Sequence, residues 1–303
     1  MVLPVFNEQE NLPELCHRLQ RVLESEADDY EVIMVDDGST DDSWQVIRSL
    51  HQENPRFKGI RFSRNFGQHI AFTAGLEASD GDAVVIMDAD GQEAPEDIPM
   101  LLEKMREGYH VVYGLRSKRE DSGLRAFISK LFLKILSRMA GQPIPEQVGA
   151  FRVMSRQVVN EFMRFPERRR FITGLVPWLG FPWAGVEVVR HKRTRGSSKY
   201  NLLKMIGLAL DALISFSYFP LRVMAVFGLV VSSLMFLWAM IIIAKKIFFG
   251  IPVPGYASTM LAVLFMGGVQ LLVMGMLGEY IGRIYQEVQS RPLYVVLEKT
   301  KGD

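Results

Sequence analysis

The chain has 303 residues, and its 35 Lys and Arg against 34 Asp and Glu leave a formal net charge of +1. A balance that close to zero supplies no global basic field, which argues against nucleic acid as the main partner. The single cysteine, Cys16, rules out a disulfide framework within the chain and a cysteine-based zinc site.

Met1 to Val5 reads as a strand entering a turn, not as a secretory signal. The domain is expected to open in mid-strand, with a few residues ahead of it. Pro4-Val5-Phe6-Asn7-Glu8 closes this strand. A helical pattern at 11–24 follows and carries Cys16, which reads as a small core residue. Glu31 to Val35 is a short apolar run closed by Asp36-Asp37-Gly38-Ser39. Ala83 to Met87 is another, closed by Asp88-Ala89-Asp90-Gly91, and His110 to Gly114 is a third. Helical patterns at 41–53, 67–78 and 97–106 lie between them. Short buried runs alternating with helices predict an α/β fold built of βαβ units on a mainly parallel sheet. Ligands of such sheets bind beyond the carboxyl ends of the strands, where both acidic clusters fall.

Leu124, Phe127, Ile128, Leu131, Phe132, Ile135, Leu136 and Met139 recur at helical spacing, with Arg125, Lys130, Lys134 and Arg138 among them. The stretch 124–139 is a basic amphipathic helix. It suits a membrane interface, and it also suits packing on the sheet with a solvated face.

Most of the apolar surplus lies after Tyr218. Residues 223–244 and 256–278 carry no charge, and each is long enough to cross a bilayer core of roughly 30 Å as a helix. The short linker with Pro252 and Pro254 makes them a hairpin, so both ends lie on one side. Lys245 and Lys246 in the linker offset Arg222, Arg283 and Arg291 outside it, and the positive-inside count decides little. The unsignalled domain with its nucleotide-type motifs points to the cytoplasmic face. The expected organisation is a catalytic domain at 1–199, a juxtamembrane helix at 200–220, two spans within 221–282 and a cytoplasmic tail at 283–303. Hairpins of this size often associate, so a homo-oligomer is a further expectation.

Two carboxylates at i and i+2 on a strand end, Asp88 and Asp90, can converge on one hard cation when the loop turns. Mg²⁺ or Mn²⁺ takes such ligands together with substrate phosphates and stabilises a departing diphosphate. A solvated turn is the plainer alternative for this motif alone. Asp36 and Asp37 precede a helix cap formed by Ser39 to Asp42 and are expected to stay free for a ribose hydroxyl or base N–H. Arg193-Thr194-Arg195-Gly196-Ser197-Ser198-Lys199-Tyr200 offers bidentate and mobile phosphate donors on a flexible loop suited to a lid. A basic surface segment just before the membrane is the alternative.

The order P-V-F-N-E, V-D-D-G-S, D-A-D with Gln two residues on, and R-T-R-G-S-S-K-Y resembles glycosyltransferase family 2 with a GT-A fold. The resemblance covers almost the whole chain. Its closest branch is the polyprenyl-phosphate glycosyltransferases, which include dolichyl-phosphate mannose synthases and bacterial polyprenyl-phosphate glucosyltransferases. The tail Gly278-Glu279-Tyr280-Ile281-Gly282-Arg283 is similar to that of the bacterial members. The resemblance implies inverting transfer of a hexose from a nucleotide sugar to a polyprenyl phosphate. UDP-glucose is the first choice, and GDP-mannose or UDP-aminoarabinose stay open. It implies a nucleoside pocket of Pro4, Phe6, Glu8, Val35 and Asp37. Asp88, Ala89, Asp90 and Gln92 would hold Mg²⁺ or Mn²⁺ and the diphosphate. Arg116, Arg152 and Ser155 would bind the acceptor phosphate, and Arg193 and Lys199 would close over the donor.

One position departs from the pattern. The family usually has an acid before the Phe-Arg pair, where this chain has Gly149-Ala150-Phe151-Arg152. Ala150 binds neither proton, metal nor hydroxyl, which implies reduced activity or divergence. A non-catalytic nucleotide-sugar binder has this one feature in its favour. A processive synthase is disfavoured by the missing Q-x-x-R-W motif, and a nucleotidyltransferase by the missing Gly-rich triphosphate loop.

Overall fold

The computed structural model describes residues 1–116, 148–168, 170–188, 219–249 and 255–300. The amphipathic stretch 124–139, Arg193, Lys199 and residues 200–218 of the juxtamembrane segment lie outside the described residues.

The described chain falls into two units, Met1–Lys199 with Arg291–Asp303, and Tyr200–Ser290. In the first, strands and helices alternate as expected: β1 (Val2–Val5), α1 (Leu12–Glu26), β2 (Val32–Asp36), α2 (Ser43–Glu53), β3 (Phe57–Phe62), α3 (Gln68–Glu77), β4 (Ala83–Ile86), α4 (Ile98–Arg106) and β5 (Val111–Arg116). Every residue of β1 and β2 is buried, as in strands covered on both faces. Helix α1 turns Leu12, Leu15, Cys16, Leu19 and Leu23 inward, the i, i+3, i+4, i+7 spacing of an apolar stripe. Pro13 sits in its first turn, where a missing N–H costs no helical bond. Cys16 is a core thiol beside Met34, and burial pushes its pKa up to about 12.

Strand β3 is an element that apolar runs do not mark, because Lys58, Gly59 and Arg61 interrupt it. Gly59 serves packing: a Cβ there would meet Ile47 Cγ2 at 2.5 Å, so glycine lets α2 press onto the strand. The chain continues through β6 (Val148–Ser155), α5 (Arg156–Met163), α6 (Ile172–Trp178) and β7 (Trp183–Val188). A last strand, β8 (Val296–Lys299), follows the second unit.

The described strands form one eight-stranded sheet in the order β7-β5-β6-β4-β1-β2-β3-β8. Four pairings are parallel (β1 with β2 and β4, β2 with β3, β5 with β7) and three are antiparallel (β4 with β6, β5 with β6, β3 with β8). The parallel block β4-β1-β2-β3 brings the carboxyl ends of its strands to one edge.

Part of the stretch 283–303, expected from the sequence as a tail, joins the sheet. Val296–Lys299 pairs with the outer edge of β3, which would otherwise present unpaired backbone groups. Trp44 Nε1 donates to Glu298 at 2.9 Å, and Gly59 N–H donates to Thr300 Oγ1 at 2.8 Å. The chain therefore leaves the first unit, makes the second, and returns to complete the first.

The second unit holds α7 (Phe219–Phe249) and α8 (Tyr256–Val288). Leu221–Phe248 and Thr259–Val288 are long and apolar enough to cross a membrane. Both helices outrun the uncharged stretches read from sequence. Their extensions hold Lys245 and Lys246 on α7 and an i, i+4 pair, Glu279 with Arg283 at 2.9 Å, on α8.

Candidate active site

Three loops meet at the carboxyl edge of the parallel block. Val5 is in register with Asp36, and Val2 with both Ile33 and Ile86, so the turns after β1, β2 and β4 are neighbours. Those after β1 and β2 are laced together. Asn7 N–H donates to Ser39 Oγ at 3.0 Å, and Thr40 N–H returns a bond to Asn7 Oδ1 at 2.8 Å. Glu8 N–H donates to Ser43 Oγ at 2.9 Å, and Asp42 N–H donates to Gln9 Oε1 at 2.8 Å. Asn7 takes a left-handed φ of 58° to make this exchange, a conformation asparagine tolerates better than most residues. Phe6 is left half exposed at the mouth.

Asp36 and Asp37 are not free, contrary to the sequence reading. Asp36 is fully buried, accepts Ser39 N–H at 3.0 Å and lies 3.4 Å from Arg61 Nε as an ion pair. Asp37 accepts the backbone N–H groups of Phe66 and Gly67 at 2.6 and 2.9 Å. Burial raises its pKa, and those two amides pull the other way. Each of its oxygens keeps a second lone pair for a ligand.

After β4 the chain turns through Asp88-Ala89-Asp90-Gly91, with Gly91 at a φ of 70°. Ala89 points into the core, so the two acids flank it. Asp90 Oδ1 accepts Gln92 N–H at 3.1 Å, Asp88 N–H donates to the buried Glu93 at 3.1 Å, and Gln68 Nε2 donates to Asp88 Oδ1 at 2.5 Å. Among the described residues no three His, Cys, Asp or Glu groups cluster as a metal cage. Two carboxylates and one amide still suit Mg²⁺ or Mn²⁺, which use one or two carboxylates and take other ligands from substrate phosphate and water.

Behind Asp88 stands Arg152, opposite Ile86 on β6 and fully buried. Its Nε donates to Ala150 O at 3.1 Å, and its Nη2 to Gly149 O at 2.8 Å and Thr173 Oγ1 at 3.3 Å. Its guanidinium carbon lies 5.1 Å from the centre of the Tyr113 ring, and Nη1 has no partner among the described residues. Burial lowers its pKa, with Tyr113, Glu93 and Asp88 opposing. His69, on α3 with its ring edge-on to Phe171, is held neutral by burial and by Arg152, its pKa lowered to about 4.

Residues 1–163 match the family Glycosyl transferase family 2, and residues 219–284 match the GtrB C-terminal hairpin. The chain belongs to glycosyl transferase family 2. It is 43% identical to an uncharacterized glycosyltransferase of Synechocystis, over 98% of this chain and 93% of that one. It is 41% identical to the bactoprenol glucosyl transferase of Shigella phage SfII, over 100% and 98% of the two chains. The bactoprenol glucosyl transferase of Shigella phage SfX is 42% identical over 98% and 97%. Glucosyl-3-phosphoglycerate synthase from Mycobacterium tuberculosis, solved with Mn²⁺, UDP-glucose and phosphoglyceric acid, is 20% identical over 70% of this chain and 76% of that chain, with a TM-score of 0.45.

For this family 2 glycosyltransferase the fold brings Phe6, Glu8, Asp37, Asp88, Asp90 and Gln92 to one edge. Pro4 and Val35 are in register with each other inside the sheet, and Val35 and Ala89 turn their side chains into the core. Arg116 ends β5. Ser155 is misplaced by the sequence reading. It pairs with Ala83 at the far end of β4, about 16 Å along the strand from Asp88, and its hydroxyl caps α5 by accepting Val158 N–H. The antiparallel direction of β6 carries it away from the site. Arg152 also differs from expectation, since its guanidinium is fully buried on two carbonyls and Thr173 and not offered to solvent. Gln68 and Glu93, which hold Asp88, were missed. The helical pattern read at 67–78, which Gln68 opens, was the trace of Gln68 in sequence.

Proposed function

We propose that this chain transfers a glucosyl group from a nucleoside diphosphate sugar, with UDP-glucose as donor, to a polyprenyl phosphate at the cytoplasmic membrane face. The observation that carries this reading is the placement of Asp37 and the Asp88–Asp90 turn at one sheet edge, on the loops that flank the β1 loop, in a chain aligned end to end with relatives named bactoprenol glucosyl transferase and sharing the GtrB hairpin. The hairpin fits a lipid acceptor, since a polyprenyl chain leaves a bilayer at about 0.8 kcal/mol per CH₂.

In this reading Phe6, Glu8 and Asp37 contact the nucleoside. Asp88, Asp90 and Gln92 hold a divalent cation, Mg²⁺ or Mn²⁺. When bound, that ion supplies Lewis-acid stabilisation of the leaving diphosphate. A phosphate oxygen of the lipid attacks the anomeric carbon with inversion, the bond from that carbon to the diphosphate oxygen breaks, and the nucleoside diphosphate leaves. The acceptor needs little deprotonation, because a phosphate monoester with a second pKa of about 6 is mostly dianionic at neutral pH. The protein's task is to bring two anions together. Arg116, Arg193 and Lys199 serve it by direct contact, and Arg152 by its positive field behind Asp88.

Equilibrium binding to the full-length protein in lipid nanodiscs tests the donor half. UDP with Mn²⁺ binds and GDP competes poorly. Asp90→Asn weakens the metal-dependent part, and Asp37→Ala weakens UDP with or without metal. Equal binding of UDP and GDP, or indifference to both substitutions, overturns the donor assignment.

A further inference from the structure

Residues 63–68 connect two of the acids on which the donor reading depends. On their inner side, the Phe66 and Gly67 N–H groups bond Asp37, and Gln68 bonds Asp88. The approach is close: a Cβ on Gly38, whose φ is 69°, would lie 2.4 Å from the Arg64 carbonyl carbon. On their outer side they are held by the segment that returns after the hairpin. Ser63 N–H donates to Val295 O at 2.9 Å. The Tyr294 ring stacks on Phe62 at 4.8 Å and 24°, and Phe62 meets Phe66 edge-on at 5.6 Å. The Tyr294 hydroxyl donates to Glu77 Oε2 at 2.8 Å. Tyr294 thus grips the end of β3 with its ring and the end of α3 with its hydroxyl, and 63–67 is the connection between those two elements.

We propose that residues 63–68 act as a strap setting the spacing of Asp37 and Asp88, and that Tyr294 is a positioning residue that holds the strap in place. The proposal rests on the donor reading for what the strap serves. The segment after the membrane hairpin then does more than close a sheet edge, because it tunes the donor pocket without touching the donor. Trp44 and Glu298 join the same returning segment to α2, away from the strap, which provides a control.

The test compares Tyr294→Ala, Tyr294→Phe and Glu298→Ala in the full-length protein in nanodiscs. Three quantities are read: amide hydrogen exchange at 63–68, affinity for UDP with Mn²⁺, and the thermal midpoint. Tyr294→Ala speeds exchange at 63–68 and weakens UDP about three- to tenfold, the scale of one lost aromatic pair. Tyr294→Phe, which keeps the ring, restores both. Glu298→Ala lowers the midpoint but leaves the strap's exchange and the UDP affinity unchanged. Unchanged exchange in Tyr294→Ala, or equal loss of affinity in Tyr294→Ala and Glu298→Ala, overturns the proposal. Should the wild-type chain not bind UDP, the donor reading fails and the exchange data alone decide the strap. If Tyr294→Ala does not fold, Tyr294→Leu takes its place with the same two outcomes.

Discussion

Gln68 donates its side-chain N–H to Oδ1 of Asp88 at 2.5 Å, so the first residue of α3 fixes the first acid of the turn after β4. Groups that orient a metal-binding carboxylate matter nearly as much as the carboxylate itself. Gln68→Ala is expected to weaken Mn²⁺ about 10- to 100-fold in a metal titration of UDP binding. Unchanged metal affinity would show that the bond is incidental.

Ala150 stands two residues before Arg152 on β6, and its carbonyl accepts from Arg152 Nε at 3.1 Å. The β4–β6 register ends at Ile86 and Arg152, and β6 shifts register against β5 between Arg152 and Val148, the stretch that holds position 150. Ala150→Asp therefore puts a carboxylate next to a buried guanidinium with an N–H that has no partner among the described residues. Turnover is expected to rise about tenfold or more, the scale of one charge-assisted hydrogen bond. A new ionisation that tracks activity in the pH–rate profile would mean that the acid works as a base and not by orienting its neighbours.

Arg152→Met removes the donor to two backbone carbonyls and a threonine hydroxyl. Each buried acceptor left without a partner costs about 1–3 kcal/mol, less whatever is gained by no longer burying a charge. A lower urea midpoint together with a fall in turnover is the expected result. Arg152→Lys keeps the charge without the planar fork and recovers only part of either. Full activity in Arg152→Met would remove the field from the mechanism.

His69 sets an acid limit. Its folded pKa is about 4 against 6.5 for the free side chain. The unfolded chain therefore binds more protons between those values. The stability this neutral ring contributes is present above pH 6.5 and is lost as pH falls toward 4. The full effect is at most about 3 kcal/mol. His69→Gln is expected to flatten the stability curve between pH 6.5 and 4, measured by thermal midpoints. A slope in that window identical to wild type would contradict it.

The first half of the catalytic unit was legible because its signals are local. Leu12, Leu15, Cys16, Leu19 and Leu23 repeat at helical spacing, and Val32 to Val35 and Val84 to Met87 are unbroken apolar runs ending in acids. Strand β3 was hidden by Lys58, Gly59 and Arg61, and β8 by its place after a long apolar helix. The site was harder to read. A motif states which residues lie near one another along the chain, not which way a strand runs, and Ser155 was misassigned for that reason. It is equally silent on burial. Arginine usually reaches solvent, so the enclosure of Arg152 by Tyr113, Thr173 and two carbonyls follows only from the tertiary fold. The amides that occupy Asp37 come from a loop almost thirty residues away.

The most direct test of the account is transfer of radiolabelled glucose from UDP-glucose to undecaprenyl phosphate by the full-length protein with Mn²⁺, with Asp88→Asn and Ala150→Asp in parallel. The account predicts a labelled, organic-extractable lipid from the wild-type chain, more of it from Ala150→Asp, and none from Asp88→Asn. No labelled lipid from the wild-type chain or Ala150→Asp, with GDP-mannose and UDP-aminoarabinose also failing while UDP still binds, would contradict it and leave a nucleotide-sugar binder in its place.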